Sequence, residues 1–222
     1  AADLDRKIGV VLDALEDSGR AENTIILCTT DHGIAFPEMK CTLTDRGIGV
    51  MCMMRIPGVS GRSVSALASH IDLFPTLLQL AGLERPSDRI VDGRSLLPLL
   101  LGHATELPER PLYFYHYDKL EAIRLGEWMY YPRVHRYTWP IPLDAASIPN
   151  AMGKDQLGQR WPLLYNLSRD PGEAYNVIDR NPRVADNLAA LFAAWEEQVD
   201  ANPRGFGLQG FGSTRPASET RP

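Results

Sequence analysis

The run Thr24-Ile25-Ile26-Leu27-Cys28-Thr29-Thr30 constrains the chain most, because it ends abruptly in Asp31-His32-Gly33. An apolar, β-branched run of this length reads as a buried strand. In open α/β sheets, ligand sites lie beyond the carboxyl ends of strands. Here that end delivers an acid and an imidazole. Neighbours on a true strand point to opposite faces, so the two side chains converge only if the strand stops at Asp31. Gly33 supplies the backbone freedom for that turn. Asp31 and His32 are therefore candidate metal ligands, and a capping acid beside a loop histidine is the plainer reading. Carboxylates alone favour hard cations such as Ca2+ or Mg2+, whereas an imidazole also admits Mn2+, Zn2+ or iron. Lys40 follows close enough to contact an anion held on such an ion, where an ammonium stabilises developing charge.

The flanking pattern is α/β. Leu4, Ile8, Val11, Leu12 and Leu15 recur at helical spacing and stop at Ser18-Gly19. After Asp45-Arg46-Gly47-Ile48-Gly49, a continuous apolar run from Val50 to Met54 predicts a strand covered on both faces. Asp72 reads as the N-cap of a helix that ends at Gly82, with Pro75 in its first turn. A shorter helix starts at Ser95. Near Pro108 the composition changes. Pro111–Tyr117, Glu121–Leu125, Trp128–Tyr131 and Leu163–Leu167 predict a small four-stranded antiparallel sheet. A terminal helix follows over about Pro182–Val199, and the residues beyond Asn202 read as a frayed tail. The predicted organisation is an α/β part over 1–107, a small antiparallel subdomain over 108–202 and a tail over 203–222.

Charge excludes some classes. The net charge of -5 comes with both signs interspersed, and no basic cluster argues for nucleic acid. No apolar stretch reaches the length of a membrane span. Cys28, Cys41 and Cys52 lack metal-knuckle spacing and read as reduced structural thiols. Nucleophile-elbow, phosphate-loop and His-Glu-x-x-His patterns are absent. The stretch from Tyr130 to Trp139 is dense in aromatic and basic residues, and Arg133, His135 and Arg136 could line a substrate mouth. The same stretch also suits a packed loop with a solvated basic face. His70 precedes a helix start and could touch substrate or simply cap. Asn166-Leu167-Ser168 matches a glycosylation sequon.

Four ordered segments resemble the C-terminal half of a sulfatase, in the alkaline phosphatase-like superfamily. They are Asn23-Thr24-Ile25 through Asp31-His32-Gly33 with Phe36-Pro37 and Lys40; Ser69-His70-Ile71-Asp72-Leu73-Phe74-Pro75-Thr76; Asp92-Gly93-Arg94-Ser95-Leu96-Leu97-Pro98; and Leu164-Tyr165-Asn166-Leu167 through Asp170-Pro171-Gly172-Glu173 with Asn176. The resemblance, strongest to sulfamidase-type and bacterial arylsulfatase members, implies part of an alkaline phosphatase-like sandwich with a mixed, mostly parallel sheet. It implies a sulfuric ester or sulfamate hydrolase acting on a small-molecule or glycan substrate. Asp31 and His32 would be two ligands of one divalent metal, Ca2+ by family habit with Mn2+ admitted by His32. Lys40 would contact the sulfate, with His70 a further candidate. The family's nucleophile is a formylglycine made within Cys/Ser-x-Pro-x-Arg, and no segment here fits that motif. The family's paired N-terminal acids are missing too, so a truncated product, inactive alone, is expected. Phosphonate monoester or phosphodiester hydrolysis, and a non-catalytic binding module, are the alternatives. The compartment stays open, with bacterial cytoplasm or periplasm as the implied settings.

Overall fold

The computed structural model describes residues 2–34, 40, 42–116, 119–132 and 162–204. Helix α1 (Ala2–Asp17) leads through a 3-10 turn to strand β1 (Ile26–Thr29). A one-turn helix, α2 (Asp45–Ile48), precedes β2 (Cys52–Arg55), and α3 (Leu73–Leu80) and α4 (Leu97–Leu100) complete the first part. Strands β3 (Leu112–His116), β4 (Lys119–Leu125), β5 (Trp128–Tyr131) and β6 (Leu163–Asn166) follow, then the long helix α5 (Pro182–Ala201).

The order of elements follows the reading of the sequence, and local expectations are corrected at β2 and at Asp72. β1 and β2 pair antiparallel as a two-stranded sheet, with Thr29 opposite Cys52. β2 is not covered on both faces: Cys52 and Met53 are exposed and only Met54 is half-buried. α1 likewise forms as an amphipathic helix, but Leu4, Val10 and Val11 stand exposed because nothing among the described residues packs on that stripe. Its end is tethered instead by Arg55, which bonds Glu16 (3.1 Å) and Glu22 (2.9 Å). Such exposed pairs contribute little. The Asp72 side chain, for its part, does not cap α3. It turns back to accept from the Ser69 N–H (2.9 Å) and across to the Arg94 N–H (2.8 Å) and the Arg110 guanidinium.

The antiparallel sheet is the folded centre of the second part, in the order β3-β4-β5-β6. One face presents Leu120, Ile123, Tyr130 and Leu164 to Ala185, Leu188 and Phe192 of α5. Leu188 is fully buried, a contribution of about 1.5–3 kcal/mol from area alone. The other face presents Ala122, Met129, Tyr131, Leu163 and Tyr165, with Phe114 of β3 beside them, to Leu43 and Ile48. The α2 segment thus seats directly on the sheet. A register shift between Phe114 and Tyr115 makes Glu121 the extra residue of a bulge, which explains why Leu120 and Ile123 share a face. The far end of α5 is pinned where Tyr113 stacks on Trp195 (4.2 Å), the Trp195 indole N–H donates to the Tyr115 hydroxyl (2.7 Å), and Arg204 lies over Trp195 while bonding Asp92.

The sequon is not available in this fold. Asn166 is buried at the end of β6, and its Oδ1 accepts from the Ser168 N–H, the Ser168 hydroxyl and the Arg169 N–H. The same asparagine closes the turn that launches the Asp170-Pro171-Gly172-Glu173 segment.

Candidate active site

β1 ends at Thr29, and Asp31, His32 and Gly33 form the bend beyond it. Gly33 is obligatory there. A Cβ at this position would lie 1.9 Å from the Arg46 carbonyl oxygen. The Gly33 N–H donates to the Gly47 carbonyl at 2.8 Å, so the bend is held against α2.

This turn brings Asp31 and His32 together, as the sequence predicts. The Asp31 Oδ2 and His32 Nε2 stand 3.6 Å apart. The Asp31 side chain is 88% exposed, and its carboxylate faces only the His32 ring at ion-pairing distance among the described residues. The His32 Nδ1 lies 2.7 Å from the Gly33 carbonyl oxygen. A carbonyl can only accept, so Nδ1 carries a proton, and in the neutral imidazole that leaves the Nε2 lone pair for a metal. That tautomer, fixed by a backbone carbonyl, is the usual state of a metal-binding imidazole. Metal–ligand bonds of about 2.0–2.6 Å span a 3.6 Å gap between donors, so one ion fits both groups. The donor set is one oxygen and one nitrogen, half or less of what Ca2+ or Mn2+ requires. No cluster of three or more acidic, His or Cys side chains that could complete it occurs among the described residues.

Beside the turn lies an open recess of about 570 Å³, lined by Thr30, His32, Gly33, Asp45, Arg46 and Met51 among others. Arg46 had no assigned role from sequence; it lines the same recess as His32, with its carbonyl against Gly33 and its guanidinium beside Gly172. Lys40 stands exposed on a turn. His70 reaches the site end of β1: its Nε2 is 2.8 Å from the Thr29 hydroxyl, which also lies 2.7 Å from the Met51 carbonyl. With the hydroxyl proton directed to Met51, His70 donates, fastening the start of α3's approach to the strand end. Arg133, His135 and Arg136 lie outside the described residues. From the same aromatic-basic stretch, Tyr130 and Tyr131 belong to the sheet core and do not line a mouth.

A second polar cluster underlies α2, and sequence reasoning did not single it out as one. Glu173 takes a positive φ of 54° and turns inward. Its Oε1 accepts from the Asp45 N–H (2.6 Å), and its Oε2 meets the Tyr131 hydroxyl. The same hydroxyl is 3.1 Å from the Leu43 carbonyl. Arg124 from β4 pairs with the Asp45 carboxylate, and the Arg46 guanidinium runs beside Gly172. A phenol has one proton, and two acceptors compete for it while Glu173 is ionised. When Glu173 is protonated, its O–H donates to Tyr131 and the Tyr131 O–H donates to Leu43, so each group is satisfied. Burial raises the Glu173 pKa above the ordinary range; the bonds from Tyr131 and the Asp45 N–H oppose this, and the Asp45 and Asp170 charges add to it.

A raised folded-state pKa means that the native state holds the proton longer than the unfolded chain does. The stabilising contribution is therefore complete below the unfolded value of about 4.3. It is lost as pH rises through the elevated folded value. In the full-length protein, the stability of wild type relative to Glu173→Gln falls over that window and then levels. Urea midpoints measured across acidic to neutral pH check this, and a flat difference would refute it.

The sulfatase family profile matches residues 1–83, and the profile described as the C-terminal region of aryl-sulfatase matches residues 107–209. N-acetylgalactosamine-6-sulfatase of Canis lupus familiaris is 33% identical over 84% of this chain and 40% of its own length. Steryl-sulfatase of Rattus norvegicus is 30% identical over 89% of the chain and 39% of its own. The chain thus spans about 40% of the curated relatives it matches. Among solved structures, a 6S-sulfatase tied to glycosaminoglycan metabolism in Bacteroides thetaiotaomicron superposes with a TM-score of 0.69 at 25% identity, covering 87% of this chain and 43% of that one. A sulfatase from Pseudoalteromonas superposes at 0.71 with 19% identity, over 91% of this chain and 42% of that one, which supports the shared fold alone. A phosphonate monoester hydrolase from Silicibacter pomeroyi matches at 0.55 with 25% identity, over 90% and 39%.

Proposed function

From the premise that this chain belongs to the sulfatase family and corresponds to its C-terminal portion, we propose that it supplies part of the active site of a sulfuric ester or sulfamate hydrolase. The observation that carries the proposal is the Asp31–His32 pair, converged at a strand end with the His32 Nε2 lone pair free. Asp31 and His32 are read as two ligands of a divalent metal, Ca2+ first and Mn2+ second. When bound, that ion supplies Lewis-acid polarisation of the sulfate oxygens. Lys40 is read as the sulfate contact, since a cation there favours an anionic substrate and its more charged transition state. His70 fixes the strand end through Thr29, a positioning role more than a contact with substrate.

The nucleophile, a formylglycine, and the remaining metal ligands are assigned to sequence outside these residues, since no Cys/Ser-x-Pro-x-Arg segment occurs within them. The substrate class is a small-molecule or glycan sulfate ester, in keeping with relatives named for an N-acetylgalactosamine sulfate and a steryl sulfate. The division of the chain at about residue 107 into a catalytic part and an antiparallel subdomain is part of the same reading.

Phosphonate monoester hydrolysis is the second reading, supported by the Silicibacter pomeroyi neighbour. Parallel turnover of an aryl sulfate and phenyl phosphonate by the full-length enzyme separates the two. A sulfate preference is expected; a phosphonate preference beyond about tenfold, worth some 1.4 kcal/mol in the transition state, would overturn the first reading.

A further inference from the structure

We infer that Tyr131 and Glu173, which belong to the C-terminal sheet unit, are positioning residues for the Asp31–His32 turn, acting through the α2 segment. The inference rests on the metal-site reading above for its functional sense, but its geometry stands independently. The path is short and made of hydrogen bonds. Tyr131 meets the Leu43 carbonyl and Glu173 accepts the Asp45 N–H, so both ends of the approach to α2 are gripped. Arg124 holds the Asp45 side chain from the neighbouring strand. Leu43 and Ile48 seat on the sheet face around Tyr131. At the far end of the same segment, the Gly47 carbonyl accepts the Gly33 N–H at 2.8 Å, and the Arg46 carbonyl leaves no room for a side chain at residue 33. Gly33 in turn provides the carbonyl that fixes the His32 tautomer.

The consequence is that the sheet is more than a lid behind the catalytic part. It sets the height and tilt of α2, and α2 sets where the Gly33 carbonyl stands. The Gly33 carbonyl is the direct partner of the ligand, the kind whose loss changes metal affinity by about 10- to 100-fold, and residues that act through it are expected to have a smaller share of that effect. A residue that only stabilises the subdomain would lower the unfolding midpoint and leave the metal and the turn untouched.

The test uses the full-length protein with Tyr131→Phe, Glu173→Ala and Glu173→Gln. Two readouts are taken: calorimetric affinity for Ca2+ and Mn2+, and hydrogen exchange at the Gly33 amide in metal-free protein. Tyr131→Phe and Glu173→Ala are expected to weaken metal binding by up to about tenfold, the lower end for a direct partner, and to speed Gly33 exchange through local opening. Glu173→Gln keeps an acceptor for Asp45 and a donor for Tyr131, so it is expected to stay close to wild type in both. Far-UV circular dichroism identifies any variant that fails to fold, and the conservative Tyr131→Phe then decides. Unchanged Gly33 exchange in folded Tyr131→Phe and Glu173→Ala overturns the inference, whatever the metal does. Wild-type protein that binds neither ion overturns the metal-site reading instead, and the exchange result still decides the coupling.

Discussion

Asp31→Asn in the full-length protein is expected to lower sulfate-ester turnover by about 10²–10³-fold with almost no loss of stability. The two halves of that statement come from one observation. Asp31 is 88% exposed, and among the described residues only the His32 ring nitrogen stands near its carboxylate, at 3.6 Å. An exposed side chain with so little structural engagement changes folding free energy by about 0.5 kcal/mol or less when replaced. An asparagine keeps the shape and one oxygen donor but removes the negative charge that a hard cation demands. Chemical denaturation and turnover measured on the same preparation check it. Activity within a few-fold of wild type would remove Asp31 from the site. A large loss of stability would show instead that the turn depends on this carboxylate for folding.

Asp72→Ala reverses that pattern and is expected to cost about 3–5 kcal/mol of stability. Asp72 is fully buried, and its carboxylate answers the Ser69 and Arg94 amides together with the Arg110 guanidinium. Removing it leaves two amides without partners and a half-buried Arg110 guanidinium that keeps the Asp92 carbonyl but no counter-charge, and it is this loss of partners, more than the lost attraction, that is costly. The site is tight as well as charged. A Cβ at Gly93 would stand 1.8 Å from the Ile71 carbonyl oxygen, so the 92–96 segment approaches α3 as closely as backbone allows. The Thr76 hydroxyl completes the join, donating to the Asp72 carbonyl (2.6 Å) and accepting the Leu96 N–H (2.9 Å). Urea unfolding of the variant gives the answer. A shift near zero would mean that water reaches the Arg110 head and that the cluster is less dry than its burial implies.

The legible parts of this chain were those with local causes. The apolar run into Asp31-His32-Gly33 specifies a strand, a turn and two convergent donors within ten residues, and each step follows from the residue present. The antiparallel sheet was legible for the same reason, through short aromatic strands and tight turns. What the sequence did not disclose depends on contacts between distant segments. The roles of Glu173 and Tyr131 follow from the sheet face on which Leu43 and Ile48 sit, and nothing in Tyr130-Tyr131 tells a core strand from a substrate mouth. Asp72 misled because an acid before a helical run is the ordinary sign of an N-cap; the guanidinium that claims it lies far along the chain at Arg110. The bare stripe of α1 and the open faces of β2 have a related origin. Their hydrophobic pattern predicts burial, and no described residue supplies the cover.

The most direct measurement is anomalous X-ray diffraction from crystals of the full-length protein grown with Mn2+. The account predicts a peak within bonding distance of both the Asp31 carboxylate and the His32 Nε2, with His32 Nδ1 still bonded to the Gly33 carbonyl. Manganese bound elsewhere, with Asp31 and His32 facing solvent, would contradict it.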